Sequence, residues 1–374
     1  MNLRETIADE IRREGPIPFS RYMEMCLYEP AFGYYARPRE KFGKAGDFYT
    51  SSDVHAVFGR LLARQFDEMW RAMGAPSEIE IVEMGPGRGL FAQDVLDWSG
   101  KKFWDFRDAL TYRLVEGSAS LRDRLQQQFS EGIAKGKVSV HSAIEELPAA
   151  TGTTIVFGNE FFDALPVEVI GEDGELRIAC DGARFVEVFA TASAAELAYL
   201  DRYAVYPGDG ERVEARLNDR AYMQKIAARI EQGFLALIDY GYTREQLLAG
   251  MHRGTIMSYR QHTTGATPYE APGEQDITAH VNFTALREMG QDAGLESLGL
   301  LTQAQFLMGI GEPNQFADAF EEVSLPQERA KVTLQLKHLV MPEGMGETFD
   351  VLVMKKGVEK EKAAQLSGLK YRRL

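Results

Sequence analysis

Over the first 75 residues the apolar positions recur at helical spacing. Residues 3–14 form an amphipathic pattern that stops at Gly15-Pro16, and a second short helix is expected from Phe19 to Leu27. Tyr28 to Tyr35 reads as a turn-rich loop, more suited to packing than to binding. A polar loop from Gly43 to Ser52 leads into a long helix from about Val54 to Met73. Its Val57, Leu61, Leu62, Phe66, Met69 and Trp70 share one face, and Gly74-Ala75-Pro76 ends it.

From residue 79 the pattern becomes short apolar runs alternating with helical stretches. Strands are expected at Ile79 to Met84, Tyr112 to Glu116, Val138 to His141, Thr154 to Gly158, Phe234 to Ile238, Leu295 to Thr302 and Phe349 to Met354. Helices are expected at Leu90 to Asp97, Leu121 to Phe129 and Phe283 to Ala293. Such alternation predicts an α/β fold, a doubly wound parallel sheet of seven strands closed by a last antiparallel pair. Val167 to Phe189 reads as an antiparallel hairpin excursion with turns at Gly171–Gly174 and Cys180–Gly182. The expected organisation is an N-terminal helical cap over residues 1–75 and a catalytic domain over 76–374. Insertions near 167–225, 242–280 and 306–339 would build the acceptor groove with the cap.

The chain has 374 residues, 45% hydrophobic, enough to bury a large core. No run approaches the roughly 18–20 apolar residues of a membrane span, and the charged start Met1-Asn2-Leu3-Arg4-Glu5 lacks the apolar centre of a secretory signal. Cys26 and Cys180 sit in no CxxC motif, which suggests a reducing compartment and a cytoplasmic protein. The six histidines have no metal-ligand spacing, and no metal is expected. A net charge of −14 disfavours nucleic acid as a partner.

Candidate chemistry gathers at strand ends. Glu83-Met84-Gly85-Pro86-Gly87-Arg88-Gly89 follows the first strand and opens a helix, where a doubly wound sheet binds nucleotide-containing cofactors. Glycines 85, 87 and 89 are spaced GxGxG, while the dinucleotide fingerprint GxGxxG would need glycine at Leu90. Glu83 suits the ammonium and sulfonium of S-adenosylmethionine better than it suits a phosphate. Glu116, at the end of the second strand, can accept both ribose hydroxyls. The competing readings are a tight structural turn or a nicotinamide-dependent oxidoreductase on the same sheet.

The fourth strand ends in Asn159-Glu160-Phe161-Phe162-Asp163-Ala164-Leu165-Pro166. Asn159 and the Glu160 backbone can hold an amine by hydrogen bonds. Glu160 and Asp163 could clamp a guanidinium and accept its proton. Alternatively Phe161, Phe162 and Leu165 are core residues and Asp163 is a helix cap. Asp47, Tyr49 and Thr50, in the loop from Gly46 to Ser51, could line the cofactor site, or the loop could simply cap the following helix.

Together these motifs, with Leu114-Val115-Glu116, Asp239-Tyr240-Gly241 and Pro272 to Val281, resemble the MidA family of class I methyltransferases, in order, from Gly15 to about Met354. The pattern departs at Gly117, at Asn282, where the family usually has aspartate, and in the Thr263–Tyr269 loop. The family includes a mitochondrial factor that methylates an arginine in a subunit of respiratory complex I. The resemblance implies a seven-stranded class I fold, S-adenosylmethionine as cofactor and protein arginine as acceptor. It points to Glu83, Gly85, Pro86, Gly87, Gly89, Glu116, Gly46, Asp47, Tyr49, Thr50 and Asn159 at the cofactor. Asn159, Glu160 and Asp163 are the expected catalytic group. A cofactor-binding assembly factor without turnover is the other class of reading.

Overall fold

The computed structural model describes residues 2–36, 56–150, 152–260, 263–264 and 267–371. The polar loop from Gly43 to Ser52 lies outside them. The chain divides into two compact units. One draws on Met1–Phe48, Phe161–Tyr222 and Gly241–Met289, the other on Tyr49–Glu160, Met223–Tyr240 and Gly290–Leu374.

The second unit holds the seven-stranded sheet. Its strands are β1 (Ile79–Met84), β2 (Leu110–Val115), β3 (Val138–His141), β4 (Thr153–Asn159), β5 (Gln232–Asp239), β6 (Glu296–Thr302) and β7 (Asp350–Lys356). They lie in the order β6-β7-β5-β4-β1-β2-β3. β3, β2, β1, β4 and β5 are mutually parallel, and β7 runs antiparallel to both β5 and β6. The last two strands form the expected antiparallel pair at the end of the sheet: β6 takes the edge, and the interior place falls to β7. Its Val351, Leu352, Val353 and Met354 are all fully buried, which suits an interior position.

Helices α1 (Ala56–Ala72) and α2 (Leu90–Lys102) pack on one face of this sheet. Val57, Phe58, Leu61, Leu62, Phe66 and Met69 of α1 share a cluster with Phe91 and Val95 of α2 and with Ile81 and Phe157 of the sheet. The two helices approach so closely that a β-carbon on Gly59 would lie 2.5 Å from Asp94 Cβ. This packing explains a departure from the expected boundary at residue 75. The helix read as part of an N-terminal cap belongs to the sheet unit, because its apolar stripe is buried there.

The first unit is built round a five-stranded antiparallel sheet. Gly174–Asp181 pairs with Ile17–Pro18, Glu168–Gly171 and Arg184–Ala190, and Arg212–Ala215 pairs with Glu168–Gly171. The hairpin excursion has both its expected turns. Helices Leu3–Glu14 and Phe19–Tyr28 bury Leu3, Ile7, Ile11, Phe19, Tyr22 and Met23 with Val169, Leu176 and Ile178 of this sheet. Asn2 and Glu5 form a reciprocal capping box at the first helix. The unexpected Asn282 caps helix Phe283–Asp292, accepting from Ala285 N at 3.1 Å, and its amide donates to Tyr203 O at 2.9 Å. An aspartate could not make the second bond.

Candidate active site at the carboxyl edge of the sheet

β1 pairs with β4 on one side and β2 on the other, so strand order reverses between β1 and β4. Ligands of doubly wound sheets bind outside the carboxyl ends of the strands at that switch point. Glu83, the glycine loop, Glu116, Asn159 and Glu160 all stand at those ends, within the sheet unit.

β1 carries two buried carboxylates with different surroundings. Glu80 accepts from Arg229 Nε at 2.6 Å and Nη2 at 2.5 Å, and from Thr154 Oγ1 at 2.9 Å. Glu83 accepts from the Tyr112 hydroxyl at 2.8 Å, and among the described residues no cation pairs with it. Burial pushes the Glu83 carboxyl up to about 8; the Tyr112 bond opposes that shift and the Glu116 charge adds to it. Register places Ile81 opposite Tyr112, so the tyrosine lies on the same face as Glu83. Tyr112 was not anticipated, although the alternation of β2 could have placed it.

The loop after β1 turns sharply. Gly85, Gly87 and Gly89 have φ of 67°, 53° and 72°, a left-handed conformation that glycine adopts without strain. Gly85 N donates to Val115 O at 2.9 Å and Gly89 N to Pro86 O at 2.8 Å, which closes the turn around Pro86. The need for glycine at 89 is packing: a β-carbon there would lie 2.6 Å from Leu125 Cδ2 and 2.8 Å from Phe129 Cε2. Glu116 is 8% exposed and bridges loop and strand. One of its oxygens accepts from Gly87 N at 3.1 Å, the other from Ser118 N at 2.8 Å. The carboxylate is thereby fixed in orientation at the end of β2.

At the end of β4, Glu160 is a non-glycine residue with φ of 51°. Its N–H donates to Ile238 O at 2.9 Å, which continues the β4–β5 ladder through the strained residue. Asn159 Nδ2 donates to Glu160 Oε1 at 3.0 Å, and Asn159 Oδ1 is buried without a hydrogen-bond partner among the described residues. Strain of this kind persists where the surroundings over-determine it, often at functional sites.

Asp163, buried at 4% exposure, belongs to the other unit, where its carbonyl accepts from Ala279 N at 3.0 Å. Phe162 is buried there too and packs edge-on against Phe161. Asp239 is buried and accepts from Tyr240 N at 3.0 Å. Gly46, Asp47, Tyr49 and Thr50 lie outside the described residues. Among the described residues one carboxylate trio converges, Glu168, Glu175 and Glu196, but Ser20, Arg177 and the Ser193 N–H already bond to its members. No helix among the described residues is long and apolar enough to cross a membrane.

The donor set fits S-adenosylmethionine. A buried carboxylate with no cation partner among the described residues suits an ammonium or sulfonium, a pre-oriented carboxylate suits a ribose diol, and a glycine loop admits close backbone approach. Residues 61–301 match a family model described as S-adenosyl-L-methionine-dependent methyltransferase. The protein arginine methyltransferase NDUFAF7 homolog, mitochondrial, of Drosophila melanogaster is 30% identical over 96% of this chain and 85% of its own. The Danio rerio protein arginine methyltransferase NDUFAF7, mitochondrial, is 31% identical over 92% and 84%. A Burkholderia thailandensis crystal structure with bound S-adenosyl-homocysteine superposes with a TM-score of 0.81 at 29% identity, covering 97% of this chain and 94% of that one.

These likenesses correct one expectation. The curated relatives are mitochondrial proteins, so the cytoplasmic assignment does not stand. Unpaired cysteines report redox conditions and cannot name a compartment. The nicotinamide reading also falls, and the cofactor is S-adenosyl-L-methionine. The chain belongs to the S-adenosyl-L-methionine-dependent methyltransferase family, as an enzyme with the class I Rossmann-like fold.

Proposed function

We propose that this enzyme methylates an arginine side chain of a protein, such as a subunit of respiratory complex I. The observation that carries the acceptor reading is the Asn159–Glu160 pair: a carboxylate in a left-handed backbone, hydrogen-bonded by the preceding amide, at the sheet's switch point. The names of the mitochondrial relatives point the same way.

When bound, S-adenosyl-L-methionine supplies an electrophilic methyl group on a sulfonium. Glu83 would hold its ammonium, Glu116 the ribose hydroxyls and the Gly85–Gly89 backbone the adjoining face. Glu160 would accept hydrogen bonds from the acceptor guanidinium and orient one nitrogen toward the methyl carbon. That nitrogen forms the new N–C bond as the C–S bond breaks, and the electron pair of the broken bond stays on sulfur. The nitrogen must shed a proton as it is methylated, because a guanidinium is otherwise fully protonated. Glu160 is the proposed acceptor of that proton. Asp163, three residues further along the same motif, is proposed as the second acceptor-binding carboxylate. Alignment of the reactants supplies much of the acceleration.

The test is Glu160→Gln, assayed with methyl-labelled cofactor and protein extract from cells lacking the gene. Calorimetry should find S-adenosyl-homocysteine affinity unchanged, while transfer falls about a hundredfold or more. Wild-type transfer would remove Glu160 from the mechanism.

A further inference from the structure

Arg216 follows strand Arg212–Ala215 in the first unit, is fully buried, and no sequence motif marked it. Its Nε donates to Asp219 Oδ2 at 2.8 Å, and Asp219 is itself 1% exposed. The rest of its fork goes to backbone. Nη1 donates to Ala279 O at 3.3 Å and His280 O at 3.5 Å, and Nη2 donates to Phe162 O. A buried guanidinium is tolerated only when its charge and its N–H groups are satisfied. Asp219 meets the charge, and carbonyls of two distant segments meet the N–H groups.

Those segments lie in two of the motifs read from the sequence: Phe162 in Asn159–Pro166, and Ala279 and His280 in Pro272–Val281. They are joined a second time by Ala279 N, which donates to Asp163 O at 3.0 Å. The peptides on both sides of the Asp163 side chain are thus pinned. The carbonyl before it is taken by Arg216 and its own by Ala279. Leu165 N closes the turn on Phe162 O at 3.0 Å, so Phe162 O accepts from both Leu165 and Arg216.

We propose that Arg216 is a positioning residue for methyl transfer, fixing the backbone that carries Asp163 so that its carboxylate is presented in one orientation. This rests on the reading of Asp163 as an acceptor-binding residue. An arginine is required because its planar fork reaches three carbonyls and a carboxylate together. A lysine would keep the charge beside Asp219 but could not span that set.

The test compares R216K, D163N and the double variant as full-length enzyme. Transfer of labelled methyl into extract protein is measured beside S-adenosyl-homocysteine affinity and thermal midpoint. R216K should lower turnover about ten- to a hundredfold, the scale of a misplaced reacting group, with the Michaelis constant for the cofactor unchanged. In a D163N background the same change should cost little more, because its target is already gone. A full multiplicative loss in the double variant, or wild-type turnover in R216K, would overturn the proposal. Wild-type turnover in D163N would instead remove the underlying role of Asp163. The thermal midpoint guards against simple unfolding, because turnover of R216K is compared with wild type well below the midpoint of each protein, where both are folded.

Discussion

Glu83 and Glu80 sit on the same strand, and what faces each decides its chemistry. Glu80 is neutralised by Arg229, while Glu83 has a phenol and no cation among the described residues, so burial pushes it up to about 8 from an ordinary 4.5. Without cofactor the folded protein therefore keeps a proton there that the unfolded chain loses above about pH 4.5. Stability without cofactor should fall as pH rises from about 4.5 through about 8, and then level. A cationic ligand favours the ionised form, so cofactor affinity should climb with pH up to about 8, and binding at pH 7 should release a proton. Calorimetry in buffers of different ionisation enthalpy measures that proton; a net of zero would place the cation elsewhere. Glu83→Gln should keep the Tyr112 bond, raise the cofactor-free thermal midpoint above pH 8, and weaken cofactor binding about ten- to a hundredfold. At Glu160 the left-handed backbone makes a different prediction. Glu160→Gly should abolish transfer yet stabilise the protein by about 1 kcal/mol, as chemical denaturation would register. A loss of stability would mean that the side chain holds the strand end together.

At the scale of elements, close approaches carry the architecture. Gly89→Ala would force a β-carbon into Leu125 and Phe129 from a left-handed backbone, and about 1–3 kcal/mol of stability should be lost. An unchanged denaturation midpoint would show that the helices can yield there. The strands and helices were largely legible, because each buried strand is a short apolar run and α1 carries a clean stripe. β1 and β3 begin and end where the pattern places them. The place of β7 was not legible, since Val351 to Met354 reads alike for an edge or an interior strand. Carboxylates at strand ends could be read from the sequence, but the residues that orient them could not. Tyr112 looks like core until register brings it to Glu83, and Arg216 acts through backbone carbonyls that no motif records.

At the scale of the molecule, the chain passes between its two units five times, so neither is a continuous stretch of sequence. The first unit is assembled from the N-terminus and two excursions that leave the sheet after β4 and after β5. The expected boundary at 75 followed the change from helical to alternating pattern, whereas the true grouping follows which apolar surfaces bury one another. The proposed cofactor residues Glu83, Gly85, Gly87, Glu116 and Asn159 all belong to the sheet unit. Hydrogen exchange with S-adenosyl-homocysteine should therefore show new protection in peptides covering residues 79–90, 110–118 and 153–160. Protection that spared all three would move the cofactor away from the carboxyl edge.

The most direct measurement of the central claim is methyl transfer itself. Purified enzyme and methyl-labelled S-adenosyl-L-methionine are added to protein extract from a strain lacking the gene, and the labelled protein is digested and sequenced by mass spectrometry. The expected result is label on an arginine side-chain nitrogen of a discrete acceptor, lost with Glu160→Gln. Label on another residue type, or arginine labelling that survives Glu160→Gln undiminished, would contradict it.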